Sequence, residues 1–472
     1  MIRRTIPQKT ISKESSLNGV GLHTGENVRL TFKPAPSNTG LVFVREDIQT
    51  NNSIEANIKY ISNTDRGTNL DNGSFRIHTS EHVLAALTGL DVDNCYISLN
   101  GPEVPIMDGS SKFFINAIEE AKIVEQNALR EEFFPDEKIS FECQETGSKI
   151  SIIPDEKYKI ETKIDFNTKV LGTQTAVIND LSEFKNEISS ARTFSFLHEL
   201  ETLLENGLIK GGDLNNAIVY VDKPLADSNM ERLKKAFNKD SISVKPNGIL
   251  DNLSLHYPNE AARHKLLDII GDLALIGMKI RGKVIAEKPG HSINAKFAQK
   301  VSELIKVDKK NILPPIDFNK KPLMDSKEIM NLIPHRPPFL LIDEVIELSD
   351  SHVIGLRKVE KTESWVKGHF PGAPVMPGVL QVEFMAQAGG VLVLNTVPDP
   401  ENYLTFFMKM DKCKFKNPVI PGDTLICKLE LISPIRRGII HMYGQSFVGN
   451  EIKSEGEFMA KIIKKDKLWT NH

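Results

Sequence analysis

The sequence predicts an α+β chain in which two similar strand-and-helix layers are followed by a third unit, an antiparallel sheet around one long helix. Three observations predict it. The chain has 472 residues, and at roughly 150 residues per domain this suggests about three domains. Strand-like and helix-like stretches come in two successive blocks, which points to paired layers. A Lys/Pro-rich stretch, DKKNILPPIDFNKKPLMD (308–325), then separates these blocks from the rest. Its Pro314-Pro315 pair excludes both helix and central strand.

The first block carries alternating strands (NVRLTF, GLVFVR, CYISLN) and helices over 80–90 and 111–124. A weaker seam follows around 126–137, and the second block opens with the strands KISFEC, SKISII and YKIETKI. VSELIKV ends an amphipathic helix ahead of the proline-rich stretch, and SKEIMNLI starts another behind it, with Asp325 or Ser326 as N-cap. Beyond lie a helix near 376–395 and the strands HVIGLRKV, YLTFFMKM, TLICKLELI, IIHMYGQSFV and KSEGEFMAKII. The expected division is 1–128 and 129–307 for the two layers, a linker at 308–323, and the last unit at 324–472. No sequence repeat relates the two blocks.

Composition narrows the function classes. The 59 Lys+Arg nearly balance 62 Asp+Glu, a net charge of −3, so neither nucleic acid nor an acidic membrane surface is expected as the main partner. Hydrophobic residues make up 40% of the chain, enough for sizeable cores, yet no run approaches the ~20 apolar residues that span a bilayer. MIRRTIPQKTI is basic but has no apolar stretch behind it, unlike a secretory signal. Cys95, Cys143, Cys413 and Cys427 are scattered without a CxxC pair. A reducing, cytoplasmic compartment is the expectation.

Two stretches of the first 306 residues suggest metal chemistry. TSEHVLAALTGL puts Glu81 and His82 in the first turn of an apolar helix. RHKLLDIIGDLALIG puts His264, Asp268 and Asp272 on one helical face by their spacings of four. Two histidines and one carboxylate are a complete protein ligand set for a catalytic zinc with an open position. Glu81 would be free to take a proton from a water. A His–Asp pair at i,i+4 is, however, more often a helix-surface hydrogen bond. His78 and His82 also form an HxxxH pair, so local sequence does not say which of them binds.

Four segments appear in order across residues 19–297: GVGLHTGENVRLTFKPAPSNTGLVFVRED, TSEHVLAALTGLDVDNCYISLNGPEVPIMDGSS, SARTFSFLHELE, and RHKLLDIIGDLALIG with PGHSINAKF. Together they resemble the UDP-3-O-acyl-N-acetylglucosamine deacetylases, zinc amidases of lipid A synthesis (the LpxC family). The resemblance implies zinc on His82, His264 and Asp268, one ion per chain, with a water as nucleophile and Glu81 as general base. It implies His291 as a cationic acid or electrostatic group, oriented by Asp272, and Lys265 and Thr193 in contact with the substrate and its developing oxyanion. Its fold implies two facing βααβ-type layers, and its acyl passage falls on residues 194–217, including Phe194 and Leu200. The His₂Asp set accommodates iron(II) as well as zinc. His23 of GLHTG can simply hold a turn, and His78, His198 and His256 receive no role.

In the last unit, GHFPGAPVMPGVLQVEFMAQAGG (368–390) stands out. Pro377 suits a helix N1 position, and Gly378 admits a ligand close to the first amides. From Val379 the helix is apolar nearly all round, so burial is expected. Glu383 inside it is costly unless neutral, paired or functional, and a neutral carboxyl suits a general acid. His369, in a Gly/Pro-rich loop, could be the base. The bland alternative makes Glu383 a helix residue bonded to Gln387, and His369 a loop cap.

LIPHRPPFLLIDEV (332–345) and GHFPGAPVMPGVLQVEFMAQ (368–387) resemble the 3-hydroxyacyl-acyl-carrier-protein dehydratases (the FabZ family). The resemblance implies a hotdog fold, a long apolar helix wrapped by antiparallel sheet. His369 and Glu383 fall on the catalytic positions, with the Gly378 and Val379 amides at the thioester oxygen. A sister family that also isomerises uses Asp at the helix position, so Glu383 favours dehydration alone. His335 of PHRPPF is expected to shape its loop. The resemblance further implies acyl carrier protein and a UDP-sugar lipid precursor as partners, and a homo-oligomer, dimer or trimer of dimers, with His369 and Glu383 from different subunits. Two other readings compete: a non-catalytic oligomerisation module in the last unit, and a metallopeptidase in the first half. The latter lacks an HExxH pair on one helix.

Overall fold

Polarity patterning places the elements in the order strand block, helix, strand, helix, and this order occurs twice in the first unit. The structure is a computed structural model that describes residues 2–65, 67–199, 216–222, 243–250, 253–310, 316, 321–449 and 451–467. It divides into two units, Met1–Asp308 and Lys309–His472. No helix among the described residues is long and apolar enough to cross a membrane.

The first unit opens with strand β1 (Ile2–Ile11). Then come β2 (Ser15–Val20), β3 (Asn27–Pro34), β4 (Leu41–Arg45), β5 (Ser53–Glu55) and the short β6 (Ile61–Asn63), β7 (Asn69–Asp71) and β8 (Arg76–Ile77). Helix α1 (Glu81–Gly89), β9 (Cys95–Leu99), α2 (Lys112–Glu120) and β10 (Ile123–Phe133) complete this half. The second half has β11 (Ile139–Cys143), β12 (Ser148–Ile153), β13 (Tyr158–Asp165), β14 (Thr173–Ile178) and a short α3 (Phe184–Glu187). It continues with β15 (Phe194–Phe196), β16 (Ile218–Tyr220), α4 (Glu260–Ala274), β17 (Lys279–Ile280), β18 (Gly282–Glu287) and α5 (His291–Lys310).

The two five-stranded sheets have one topology. Their orders are β2–β3–β9–β4–β5 and β11–β12–β18–β13–β14. In each, the strand that follows the main helix enters the centre, antiparallel to one neighbour and parallel to the other. Strand β13 shows why these stretches pair: Tyr158, Ile160, Thr162 and Ile164 are buried while alternate residues are not, the period of two that a half-buried strand requires. Helices α1 and α4 pack on each other. Gly271 makes this approach close, because a Cβ there would lie 2.1 Å from the Glu81 carbonyl oxygen. A mid-helix glycine costs about 1 kcal/mol in helix propensity, and here it is offset by the contact it allows.

One expectation changes. The helix read over 111–124 ends at Glu120, and residues 123–133, read as helix end and seam, form the long strand β10. Lys122, at φ 59°, turns the chain out of the helix. β10 then pairs antiparallel with β1 and parallel with β17. The Arg130 guanidinium is held by Asp91 (2.7 Å) and Asp93 (2.6 Å). Those partners are distant in sequence, so no local pattern announces the strand.

In the second unit, α6 (Ser326–Leu332) begins at Asp325, whose side chain accepts the Lys327 and Glu328 amides while Glu328 returns a bond to the Asp325 amide, a full capping box. The remaining elements are β19 (Glu344–Leu348), β20 (His352–Lys358), α7 (Gly378–Leu394), β21 (Tyr403–Phe415), β22 (Thr424–Leu431), β23 (Ile439–Val448) and β24 (Glu451–Lys464). The strands form one antiparallel sheet, β19–β20–β22–β23–β24–β21. α7 lies against it, burying Phe384, Met385, Ala388 and Val391 with Leu429, Met442 and Phe458. Burial starts only at Gln381. Val379, expected inside, is 73% exposed, because the first turn of α7 is not covered within this one chain. Pro377 stands at the N-cap, one residue ahead of the N1 position read for it.

Candidate active sites

α1 and α4 bring the first constellation together. Ser80, preceding α1, donates its hydroxyl to the Thr68 carbonyl (2.8 Å) and so fixes where the helix starts. Glu81 and His82 then face α4 and are both buried. On α4, His264 donates Nδ1–H to the Ala191 carbonyl (3.1 Å), which leaves Nε2 available. That Nε2 lies 3.4 Å from Asp268 Oδ1, and His82 Nε2 lies 3.9 Å from the same oxygen. The two imidazoles meet edge to face at 5.1 Å between centroids.

The ligand-type atoms of His82, His264 and Asp268 all lie within 4.8 Å of one another. Asp268 Oδ1 is buried with no hydrogen-bond donor, a costly state for a lone carboxylate oxygen. A cation held among these three groups would satisfy it. His78, the other member of the HxxxH pair, is outside this set and points Nδ1 at the Asn69 amide oxygen (3.1 Å).

The electrostatics suit cation binding. Burial lowers the His82 imidazole to about 3, helped by His264. Burial likewise lowers His264, so both rings are neutral and can ligate. Burial works against the Asp268 anion, yet Lys265, with cationic His291, holds its carboxyl well below the usual range. Burial pushes the Glu81 carboxyl up to about 7; Asp272 and Asp268 add to the rise and His291 opposes it. His291 goes the other way. Burial disfavours its cation, but Asp272 and Asp268 raise it to about 9.

The other expected residues surround this core. His291 opens α5 and places Nδ1 3.0 Å from Asp272 Oδ2 and Nε2 3.8 Å from Asp268 Oδ2. Lys265 donates to Asp268 Oδ2 (2.9 Å) and stands 5.7 Å over the Phe194 ring. Phe194 meets the His264 ring edge-on and joins Phe166, Phe196 and Tyr220 in an aromatic cluster. Thr193 is strapped to Gly109 through its amide (2.8 Å), and its carbonyl takes the Ile218 amide. Leu200 lies outside the described residues. Glu260 is missed by the sequence reading: buried at the start of α4, it accepts from Arg192 (2.8 Å) and ties the SARTF segment to that helix. Thr68 and Asn294 are missed as well, because their partner Asp272 is remote in sequence or their side chains carry no titratable signal.

In the second unit the two key residues do not meet within the chain. His369 donates Nδ1–H to the Val375 carbonyl (2.8 Å) and stacks on Phe370 at 4.1 Å, leaving Nε2 available. Glu383, half-buried, accepts at Oε1 from Gln387 (2.9 Å), with His335 Nε2 3.5 Å from the same oxygen. Gln387 also donates to the Phe339 carbonyl and accepts the Leu341 amide, so it clamps the PHRPPF loop to α7. Burial lowers the His335 imidazole, against the pull of Glu383. His335 and Glu383 edge an apolar pocket lined also by Gly390, Phe407, Met442 and Phe458. The first amides of α7, at Gly378 and Val379, have no intrahelical acceptor. The Phe415 ring lies so close to Gly378 that a Cβ there would be 2.7 Å from it.

Comparisons with known proteins agree with this division. Residues 8–239 and 228–303 match the family model of UDP-3-O-acyl N-acetylglycosamine deacetylase, and residues 333–456 match a FabA-like domain. The chain is 44% identical to the "Bifunctional enzyme LpxC/FabZ" of Bacteroides thetaiotaomicron, over 97% of this chain and 99% of the relative. It is 45% identical to the enzyme of the same name from Porphyromonas gingivalis, again over 97% and 99%. The UDP-3-O-acyl-N-acetylglucosamine deacetylase of Myxococcus xanthus matches at 39%, over 62% of this chain and 86% of its own length. Fold and sites thus define a fused two-activity enzyme, a hydrolase with a lyase. The chain belongs to the bifunctional LpxC/FabZ family.

Proposed function

We infer that the two activities of this family divide between the units as their sites do. The chain is a bifunctional enzyme of lipid A and fatty acid biosynthesis, a deacetylase and a dehydratase. Its first unit hydrolyses the N-acetyl group of UDP-3-O-(3-hydroxyacyl)-N-acetylglucosamine. Its second dehydrates 3-hydroxyacyl-acyl carrier protein to the trans-2-enoyl product. The observation that carries the first assignment is the buried His82/His264/Asp268 set with its orphaned oxygen.

His82, His264 and Asp268 hold one divalent ion per chain, zinc, with iron(II) admitted by the same ligands. Such an ion supplies Lewis acidity and brings the pKa of water to about 7. Glu81, on the same helix turn as His82, takes the proton from the attacking water. Cationic His291, held by Asp272, together with Lys265 and Thr193 faces the charge that develops on the amide oxygen. Glu81 or His291 then protonates the leaving amine. The aromatic cluster around Phe194 begins the acyl passage.

In the second unit, His369 Nε2 removes the proton alpha to the thioester carbonyl. The Gly378 and Val379 amides, at the positive end of α7, meet the enolate-like oxygen. Gln387 donates to Glu383 Oε1, so the carboxylic proton sits on Oε2 and goes to the departing hydroxyl. This unit has the hotdog fold, with the apolar pocket beside Glu383 taking the acyl chain. It works as a homodimer or trimer of dimers in which His369 faces Glu383 of the partner subunit. Support comes from the edge strand β21, which exposes Phe406, Met408, Met410 and Phe415, and from the uncovered Val379. All four cysteines are free, which suits a cytoplasmic enzyme.

The test measures metal content, deacetylation and dehydration of the parent and of His264→Ala and His369→Ala. Each substitution removes one activity and spares the other. Absence of dehydration in the parent would leave the second unit as an oligomerisation module only.

A further inference from the structure

We propose that Thr68 is a positioning residue that sets the deacetylase general base and its cationic partner in one register, with Asn294 completing the clamp on Asp272. This rests on the roles given above to Glu81 and His291. Thr68 sits just before β7, fully buried, and bonds in two directions. Its amide donates to Glu81 Oε2 (2.9 Å). Its hydroxyl donates to Asp272 Oδ1 and lies 3.3 Å from His291 Nδ1. Asp272 Oδ2 takes the His291 Nδ1–H (3.0 Å) and the amide of buried Asn294 (2.8 Å).

The consequences follow from hydrogen-bond geometry. A carboxylate with a donor on each oxygen cannot rotate without losing one, so Asp272 is held in a single plane. His291 takes its direction from that plane, and the Thr68 oxygen is a second acceptor beside the same ring nitrogen. The same residue's backbone fixes Glu81, so the distance between base and cation depends on one short segment. Gly67 lets that segment lie close: a Cβ there would be 3.0 Å from Glu81 Oε1. Thr68 touches neither the three metal-type ligands nor the aromatic cluster by any of these bonds. Its loss should therefore affect turnover, not binding of ion or substrate. Outer residues of this kind typically contribute about 10–100-fold in activity.

The experiment uses the full-length enzyme loaded with zinc. Thr68→Val keeps the shape and removes the hydroxyl; Thr68→Ser keeps the hydroxyl. The expected result for Thr68→Val is a fall in deacetylation kcat of about 10–100-fold, with KM within about threefold. Zinc content and the dehydratase rate of the same chain should stay at parent values, which reports a folded protein. Thr68→Ser should return kcat to within about threefold of the parent, and Asn294→Ala should fall on the side of Thr68→Val. Equal kcat for Thr68→Val and parent overturns the proposal, as does a loss that Thr68→Ser fails to repair or one matched by loss of zinc. Glu81→Ala and His291→Ala run alongside. Full deacetylation by those two would overturn the reading of the site itself, whereas their impairment with an unaffected Thr68→Val overturns this inference alone.

Discussion

The residues proposed for deacetylation close on one another within one unit, whereas those proposed for dehydration stay apart within the other. Thr68 and Asp272 stand 204 residues apart and are hydrogen-bonded; His369 and Glu383 are fourteen apart and have separate partners. The difference lies in how each fold buries its polar groups. In the first unit α1 and α4 pack on each other and are largely buried, so their charges must find partners inside: burial drives the Glu81 shift, while Asp272 and Asp268 raise His291 against burial. In the second, α7 is buried along most of its length from Gln381 on, while its first turn and the β21 edge expose apolar side chains. Proximity along the chain therefore does not guarantee that two residues meet within it.

The largest expected effect separates the units outright. His264→Ala should lose its zinc and at least about a thousandfold in deacetylation, with dehydration unchanged; metal analysis and parallel assays check it. Next comes complementation. His369→Ala and Glu383→Gln should each lose about a hundredfold or more in dehydration. Mixed and refolded together, they should recover about a quarter of the parent rate if sites are shared across a two-fold interface. The same mixing of Glu81→Ala with His264→Ala should restore no deacetylation. Recovery there, or none in the dehydratase, would break the contrast between closed and shared sites.

A smaller effect tests the helix contact. Gly271→Ala should destabilise the first unit by about 1–3 kcal/mol through overpacking, seen as an earlier unfolding transition and weaker zinc retention with the dehydratase rate intact. The pH profile sharpens the comparison last. As the proposed base, Glu81 has to be ionised, so deacetylation should rise with pH up to about 7, and earlier when a neighbouring cation favours the anion. In its proposed role His291 has to be protonated, so the rate should fall as pH passes about 9. His291→Ala should remove the alkaline limb in a plot of kcat/KM against pH.

Much of this was legible in the residues. The spacing of His264, Asp268 and Asp272 sets them on one side of a helix, and the Asp325 cap, the apolar α7 and the strand alternation of β13 are local patterns that survive into the structure. Where reading failed, the cause was a remote partner. β10 looks like the end of a helix until Arg130 is seen between Asp91 and Asp93. His335, expected to shape its loop, also brings its ring beside Glu383, a contact the sequence does not announce. Gln387 is recognisable as a neighbour of Glu383 but not as the clamp on the PHRPPF loop.

By itself the sequence determined which side chains share a helix face, where helices begin, and which stretches must be buried, because these depend on backbone periods and polarity over a few residues. The tertiary structure placed His82 rather than His78 with His264, as the resemblance implied and local pattern could not, and it alone decided that Thr68 reaches both Glu81 and Asp272. It also decided that α7 leaves its first turn uncovered. Reactivity depends on ångström separations between segments distant along the chain, and those are set by how closely helices and sheets pack, down to the absent Cβ of Gly271.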